Sequence, residues 1–372
     1  MYIKKSKIEH VIQFVVDDNN LYYRDAGHCF FVNNKKIMDN ADDIKLINHS
    51  YISFFNRDYT KTIIYNLNTL QLKEISKNIS ITDNRFAEND FLSYKFSDDY
   101  MSFQFVTYNI LEDKVCIETN LFNTYFSFYF DKKIISEDNN SIKLITLSGS
   151  ELWQFPLSSL GGTEYEPGKT DKIDKILGIA HGNIWFYTDF GRLVALDLET
   201  GDVVKKISGN PSDKNSTYEM TLGLGYCFFR PLDKNIVSVS GFDFQIIDTE
   251  QLAVTEQYDF READPMGIGT YRSIYSPMLQ GDYFTFLGIK EEDFGHIRWI
   301  GIFDYKARKL VWEYEVISEE EFDETRNQLV PPQPLYMSGN KLYVKDIKDN
   351  LHIFEQSLNE RIYDGKRKYE KS

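Results

Sequence analysis

Apolar residues along this chain come in short runs that alternate with polar positions, and turn-forming residues punctuate the runs throughout. The stretch GNIWFYTDFGRLVALDLETGDVVKKI, residues 182–207, shows the pattern most clearly. Strand-like segments there are separated by turns at Thr188 to Gly191 and at Glu199 to Asp202. Within it, Ala195, Asp197, Thr200, Gly201 and Asp202 define a unit: an apolar strand, a polar residue that opens a tight turn, and a second strand.

The unit recurs. IIYNLNTLQLKEI carries Asn66 at the turn, VTYNILEDKVCIE Asn109, KLITLSGSELWQF Thr146, QIIDTEQLAVTEQ Asp248, GIFDYKARKLVWEY Asp304 and LHIFEQSLNERIY Glu355. Short oxygen-bearing side chains suit this position because they accept hydrogen bonds from turn amides a residue or two on. The seven anchors are spaced 43, 37, 51, 51, 56 and 51 residues apart, close to the period of about 40–50 residues of a four-stranded propeller blade. A second hairpin can be read before each anchor, and a further strand such as ILGIA at 176–180 makes four. The expected fold is therefore all-β: a single β-propeller of seven four-stranded blades, with eight as the alternative count.

Two regions depart from the repeat. Residues 1–49 contain HVIQFVV, NLYYR and HCFFV without a good turn anchor, and are expected to supply an inner strand of the first blade and a ring-closing strand. Residues 317–334 read as a loop insertion bearing a short acidic helix near 319–327, opened by a capping-box pattern at Ser318 and Glu321 and ended by Pro331 and Pro332.

The turn pattern resembles the pyrroloquinoline-quinone-type (quinoprotein-type) propeller repeat: apolar, Asp, two residues, Thr-Gly-Lys, then Trp in the outer strand. Ala195, Asp197, Thr200 and Gly201 match it, with Lys205 where the Trp would stand; Asp304, Lys309 and Trp312 match elsewhere, and Trp153 follows the turn at Ser148 to Ser150. The other copies are degenerate. The resemblance implies the propeller architecture, and the family holds quinoprotein dehydrogenases as well as assembly and scaffold proteins without quinone, so it carries no activity with it.

Charge narrows the partners. The 372 residues hold 57 acidic and 42 basic side chains, a formal net charge of −15, which opposes binding to nucleic acid or an anionic membrane and favours a basic protein partner. The N-terminus lacks a signal-peptide pattern and no apolar run reaches the roughly 18 residues of a membrane span, so a cytoplasmic location is expected. Cys29, Cys116 and Cys227, odd in number and set beside aromatics, read as buried reduced thiols.

Catalytic signatures are weak. The glycine pairs Gly223/Gly225 and Gly267/Gly269 read as bends at strand starts, without the helix and lysine of a phosphate loop. His10, His28, His49, His181, His296 and His352 have no partner at metal-ligand spacing. No metal or cofactor is expected, and the chain reads as a non-enzymatic protein-binding propeller, monomeric unless bound. A propeller enzyme of quinoprotein or other small-molecule type is the rival, with Glu164, Glu166, Asp264, Tyr271 and Arg272 as its polar candidates; they are expected to be loop residues with no catalytic role. A generic assembly scaffold is the third reading.

Blade topology indicates which face binds. Turns between the second and third strands, together with the connections between blades, emerge on one side. There the sequence places Asp58, Asp98, Asp99, Glu137, Asp138, Asp189, Asp243, Glu291, Glu292, Asp293, Asp346 and Asp349, joined by Glu319, Glu320 and Asp323 of the helix-bearing loop. The opposite turns carry Lys114, Lys306, Arg308, Lys309 and Arg361. Long connections at 157–172, 208–221, 260–273 and 317–334 share the acidic side, and long loops on a rigid scaffold are the usual place for recognition. A cytosolic immunity protein that neutralises a cationic toxin is the narrowest form of this expectation.

Overall fold

The computed structural model describes residues 2–56, 61–75, 78–87, 89–123, 126–138, 140–214, 216–291, 293, 295–330 and 335–357. The fold is a β-propeller: eight sheets form among the described residues, all with four blade strands and one with a fifth added. Eight is thus the blade count, the alternative left open by the sequence. No helix among the described residues is long and apolar enough to cross a membrane.

The blades fall into two compact units. The first joins residues 1–39 to 260–372 and contains three blades. β1 (Tyr2–Ile8) comes first in the chain. Blade 1 follows as β2 (Val11–Asp17), β3 (Asn20–Asp25), β4 (Phe30–Val32) and β5 (Lys35–Met38).

The second unit spans 40–259 and contains five blades. Blade 2 comprises β6 (Ala41–Ile47), β7 (Tyr51–Asn56), β8 (Thr62–Asn66) and β9 (Gln71–Ile75). Blade 3 comprises β10 (Ile79–Ala87), β11 (Asp90–Phe96), β12 (Phe103–Asn109) and β13 (Lys114–Phe122). Blade 4 comprises β14 (Phe126–Phe130), β15 (Lys133–Glu137), β16 (Ser141–Thr146) and β17 (Glu151–Pro156). Blade 5 comprises β18 (Ile173–Ala180), β19 (Asn183–Thr188), β20 (Arg192–Asp197) and β21 (Val203–Ser208), plus β22 (Glu219–Met220). Blade 6 comprises β23 (Tyr226–Phe229), β24 (Ile236–Ser240), β25 (Asp243–Asp248) and β26 (Ala253–Asp259).

The first unit resumes with helix α1 (Phe260–Ala263) and blade 7: β27 (Tyr271–Gln280), β28 (Tyr283–Lys290), β29 (Trp299–Asp304) and β30 (Lys309–Glu315). Helix α2 (Glu319–Thr325) precedes blade 8, which comprises β31 (Tyr336–Ser338), β32 (Lys341–Lys345) and β33 (Leu351–Gln356), with β1 outermost.

Six of the seven anchors end the third strand of a blade and build the turn after it. Asp197 accepts from the amides of Glu199 and Thr200, Asp248 from Glu250 and Gln251, Asp304 from Lys306 and Ala307, and Asn66 from Asn68 and Thr69. Asn109 accepts from Glu112 and Thr146 from Ser150. Glu355 differs. Its side chain takes Asn340 Nδ2–H at 3.2 Å, and the strand beside β33 is β1, with Tyr2 opposite Gln356 and Ile8 opposite Leu351. The residues expected to continue that hairpin, from 358 onward, lie outside the described ones.

Of the expectation for residues 1–49, the single inner strand is corrected, while β1 beside β33 is a ring-closing strand. These residues supply the outer strand of blade 8, the whole of blade 1 and the first strand of blade 2. Blade 1 escaped the repeat search because its third strand has three residues and its last turn is the tight pair Asn33–Asn34, both at positive φ, with no acidic anchor.

Within each unit, cores form between neighbouring blades. Ile135, Leu144 and Phe155 of blade 4 meet Ile184, Phe186 and Val194 of blade 5, while Leu287, Ile300 and Trp312 of blade 7 meet Leu342, Val344, Phe354 and Tyr2 of blade 8. Trp153 shows how a turn and a core cooperate. Its indole N–H donates to the Leu198 carbonyl at 2.9 Å, and its ring lies where a Cβ on Gly201 would sit, 2.7 Å away. Gly201 has φ +76°, so this turn needs glycine both for its backbone and for the neighbouring ring.

The helix in the 317–334 loop is present, with Ser318 Oγ accepting from Glu321 N at 3.1 Å. It ends earlier than expected, at Arg326 in the left-handed conformation (φ 56°), ahead of Pro331 and Pro332, which lie outside the described residues. The short α1 was not expected. Of the cysteines only Cys227 is buried; Cys116 is exposed and Cys29 intermediate, and all three are free thiols.

Candidate functional site

Turns between the second and third strands carry the carboxylates nominated from the sequence, and burial divides them. Asp58 and Glu292 lie outside the described residues. In the second unit Asp98, Asp99, Asp138 and Asp189 are exposed at such turns, while Glu137 and Asp243 at adjoining strand ends are half-buried. Several also hold their own turn together. Asp99 accepts from Ser97 Oγ (2.6 Å) and Met101 N (3.0 Å), and these bonds keep its carboxyl below the usual range. At Asp138, burial raises the carboxyl pKa, but amide bonds from Asn140 (2.8 Å) and Ser141 (2.7 Å) outweigh it and lower the value overall. Asp243 receives Gly223 N at 3.0 Å.

In the first unit Asp293 and Asp346 are 3% and 0% exposed, which removes both from the surface expected of them. Asp293 binds the Arg298 guanidinium and accepts Lys290 N at 3.1 Å. Asp346 is the centre of a buried polar cluster. It accepts from Asn327 Nδ2 (2.9 Å), Asn350 Nδ2 (2.9 Å) and the amides of Lys348 and Asn350, and pairs with His352 Nε2 at 2.9 Å. His352 therefore has a carboxylate partner that sequence spacing did not suggest. Asp349 pairs with Lys345 at 2.6 Å.

Helix α2 and the turn at 291–298 enclose a cleft of about 240 Å³ lined by Asp293, His296, Arg298, Glu319, Phe322, Asp323 and Arg326. Phe322 is buried and stacks on the His296 ring with centroids 3.7 Å apart. Arg298 is answered internally by Asp293 and by Glu315 at 2.5 Å. The helix is rooted further by Asn327, whose side-chain amide reaches both Glu321 and Asp346. Glu319, Glu320 and Asp323 remain exposed, as does Glu291 on the adjacent turn. The structure thus brings Asp293, Glu319 and Asp323 to one cleft. Arg326 lies 5.1 Å from the Phe322 ring and 3.7 Å from Asp323, so the cleft itself is partly neutralised and the outer carboxylates Glu319 and Glu320 are the ones turned to solvent.

Each residue of the rival enzymatic reading has its own local setting. Glu164 is exposed, Glu166 pairs with Lys169, and Asp264 receives Leu310 N at 2.7 Å. Tyr271 and Arg272 are strand residues of β27, contrary to the loop position expected. Tyr271 is buried with its hydroxyl 2.7 Å from Glu313, and Arg272 is exposed. Among the described residues no three His, Cys, Asp or Glu side chains come together as a metal-holding group.

Sequence reasoning missed Arg192, which is 1% exposed. Its guanidinium forms a bidentate pair with Asp213 (2.9 and 2.6 Å), reaches Asp171 at 3.2 Å, and donates to the carbonyls of Gly161 (2.7 Å) and Gly162 (3.0 Å). Tyr218 covers it at 4.6 Å. This node fastens two long connections, 157–172 and 208–221, to blade 5. Burial lifts the Asp171 carboxyl above its ordinary value despite Thr188, Phe190 and Arg192, whereas at Asp213 the bonds from Arg192 and Ser208 overcome burial and lower it.

No protein-family model matches the chain, and no curated protein matches it. Solved structures do. BamB from Moraxella catarrhalis is 11% identical, with a TM-score of 0.50 over 96% of this chain and 100% of that one. Saccharomyces cerevisiae Sqt1 is 10% identical, with 0.55 over 96% and 98%. The C-terminal WD40 domain of Sif2 is 10% identical, with 0.55 over 96% and 99%. At such identities the likeness is one of fold.

Proposed function

We propose that this chain is a non-enzymatic binding propeller that engages a basic protein partner at the exposed carboxylates of α2 and the cleft beside it. The carrying observation is that Glu319, Glu320 and Asp323 stand exposed on a helix anchored by the Ser318 cap, buried Phe322 and the Asn327–Asp346 contact. Electrostatic attraction of this kind acts mainly on association rate and selectivity. The likeness in fold to BamB and to WD40 propellers supports a binding role over a catalytic one, and the formal charge of −15 supports a basic partner.

Two narrower readings go with it. Docking of Trp153 on the Leu198–Gly201 turn supports membership of the quinoprotein-type repeats, since Trp153 holds the outer-strand position of that pattern. A cytosolic protein that neutralises a cationic toxin is the most specific role that fits the charge.

The test is cross-linking of the tagged chain in cells of its source, followed by identification of the captured protein and kinetics with that protein purified. The variant carrying Glu319→Lys, Glu320→Lys and Asp323→Lys should associate at least about tenfold more slowly at low salt, and the difference should shrink as salt rises. Equal rates for variant and parent would remove α2 from the interface.

A further inference from the structure

Arg192 is buried, yet what it holds lies at the surface. Its donations to the carbonyls of Gly161 (2.7 Å) and Gly162 (3.0 Å) fix the middle of the 157–172 connection. A single 3-10 turn, Leu157–Leu160, roots one end through two buried leucines. Asp171 roots the other, accepting from Thr188 Oγ1 at 2.7 Å and from Phe190 N at 3.1 Å.

Between these roots the chain folds back on itself. Glu166 N donates to the carbonyl (3.2 Å) and to Oγ1 (3.1 Å) of buried Thr163, and Lys169 N donates to the Glu166 carbonyl at 3.1 Å. A Cβ on Gly162 would strike the carbonyl oxygens of Glu166 and Pro167, so the fold-back needs glycine there. At the apex stands Tyr165, 84% exposed, with no hydrogen bond to its hydroxyl and no ring partner among the described residues. Charges on the segments tied together by Arg192, Asp171 and Asp213 balance. Glu164 and Asp189 are exposed, as are Lys172 and Lys214, and Glu166 pairs with Lys169. This part of blade 5 is thus near neutral on a chain of formal charge −15.

We propose that Tyr165 anchors a second protein-binding surface, entering an apolar pocket on a weakly charged partner that offers its hydroxyl a hydrogen-bond acceptor. A tyrosine brings a large contact area while fixing only two torsions, and its hydroxyl needs a partner once buried. A loop already held in one shape loses little further freedom on binding, which is what the buried clamp supplies. The balanced charges set this partner apart from the basic one drawn to α2. The surface lies on blade 5 and does not depend on the α2 reading.

The probe is p-benzoylphenylalanine placed at position 165 of the full chain in cells of its source. Leu232, 93% exposed between β23 and β24 of blade 6, carries the same group as the control. Light should join position 165 to a protein that position 232 does not capture. With that protein purified, Tyr165→Ala should weaken binding by about thirtyfold or more, as truncation of a central anchor does. Tyr165→Phe keeps the ring and should cost less. Gly162→Ala, which disturbs the loop and leaves the ring in place, should fall between them, and Glu319→Lys with Glu320→Lys should leave the affinity unchanged. Because Tyr165 is exposed, the denaturant midpoint of Tyr165→Ala should match that of the parent, which separates binding from folding. Absence of any capture specific to position 165, capture of a second copy of this chain alone, or equal affinity of Tyr165→Ala and parent would each overturn the proposal.

Discussion

Arg192 and Asp213 form a bidentate ion pair, at 2.9 and 2.6 Å, in a site where neither side chain is more than 1% exposed. A charge so placed is costly to strand. Replacing Asp213 with Ala should therefore destabilise the protein by about 3 kcal/mol, because the buried guanidinium would lose its bidentate partner and keep only Asp171 and the Gly161 and Gly162 carbonyls. Arg192→Met, which leaves both Asp213 and Asp171 buried without a counter-charge, should cost at least as much as Asp213→Ala, which leaves Asp171 beside the guanidinium. Denaturant titration of the two variants measures the order, and a clearly smaller loss for Arg192→Met would refute the account.

Acid should weaken the Asp346 cluster. Burial works to raise its carboxyl pKa, but hydrogen bonds from His352, Asn327 and Asn350 prevail and hold it far below the usual range. A depressed folded-state value means that the stabilisation is full above the unfolded value of about 3.9 and is lost as pH falls from there toward the folded value. The stability difference between the parent protein and Asp346→Asn should thus be level from neutral pH down to about pH 5 and shrink below about pH 4. A difference that stays constant down to pH 3 would speak against it.

Gly201 should tolerate no side chain. Its positive φ and the Trp153 ring 2.7 Å from its would-be Cβ both oppose Gly201→Ala. The expected loss is about 1–3 kcal/mol from the backbone conformation, with the displaced ring adding to it. Near-ultraviolet circular dichroism reports the tryptophan environment, and Trp153→Phe should reduce the penalty of Gly201→Ala if the clash contributes.

Thiol chemistry should separate the three cysteines. Burial pushes the Cys227 thiol up to about 12, and the residue is enclosed between blades 5 and 6, whereas Cys116 is exposed. Maleimide labelling of the native protein, mapped by peptide mass, should modify Cys116 first and reach Cys227 only after denaturation. Early labelling of Cys227 would mean that blades 5 and 6 open readily.

The repeat was legible because six of its anchors act through their own neighbours: an Asp, Asn or Thr that closes the next turn leaves its mark within a few residues. Blade 1 left no such mark, since Asn33 and Asn34 turn the chain through backbone conformation alone. The partner of β1 was hidden for a different reason. Nothing near Tyr2 in sequence shows that Gln356 is its neighbour. The same limit hid the Arg192 node, whose carboxylates lie 21 residues away on either side. Carboxylate positions were readable but their burial was not, because Asp293 and Asp346 look like any turn aspartate until Arg298, Asn327 and His352 are placed around them.

The pairing of β1 with β33 also fixes an order of events during synthesis. Tyr2 leaves the ribosome well before its partner Gln356, which lies 354 residues later. At about 5–20 residues per second, β1 waits roughly 20 to 70 s for the strand it must join. Closing so long a stretch of chain carries an entropic cost of about 5 kcal/mol, so blade 8 gains its fourth strand late, after the blades built from local hairpins. Until Trp312 and Phe354 are made, Tyr2 has neither ring to pack against, and the nascent chain carries β1 as an unpaired strand. Chaperone demand during translation is therefore expected to concentrate on this segment.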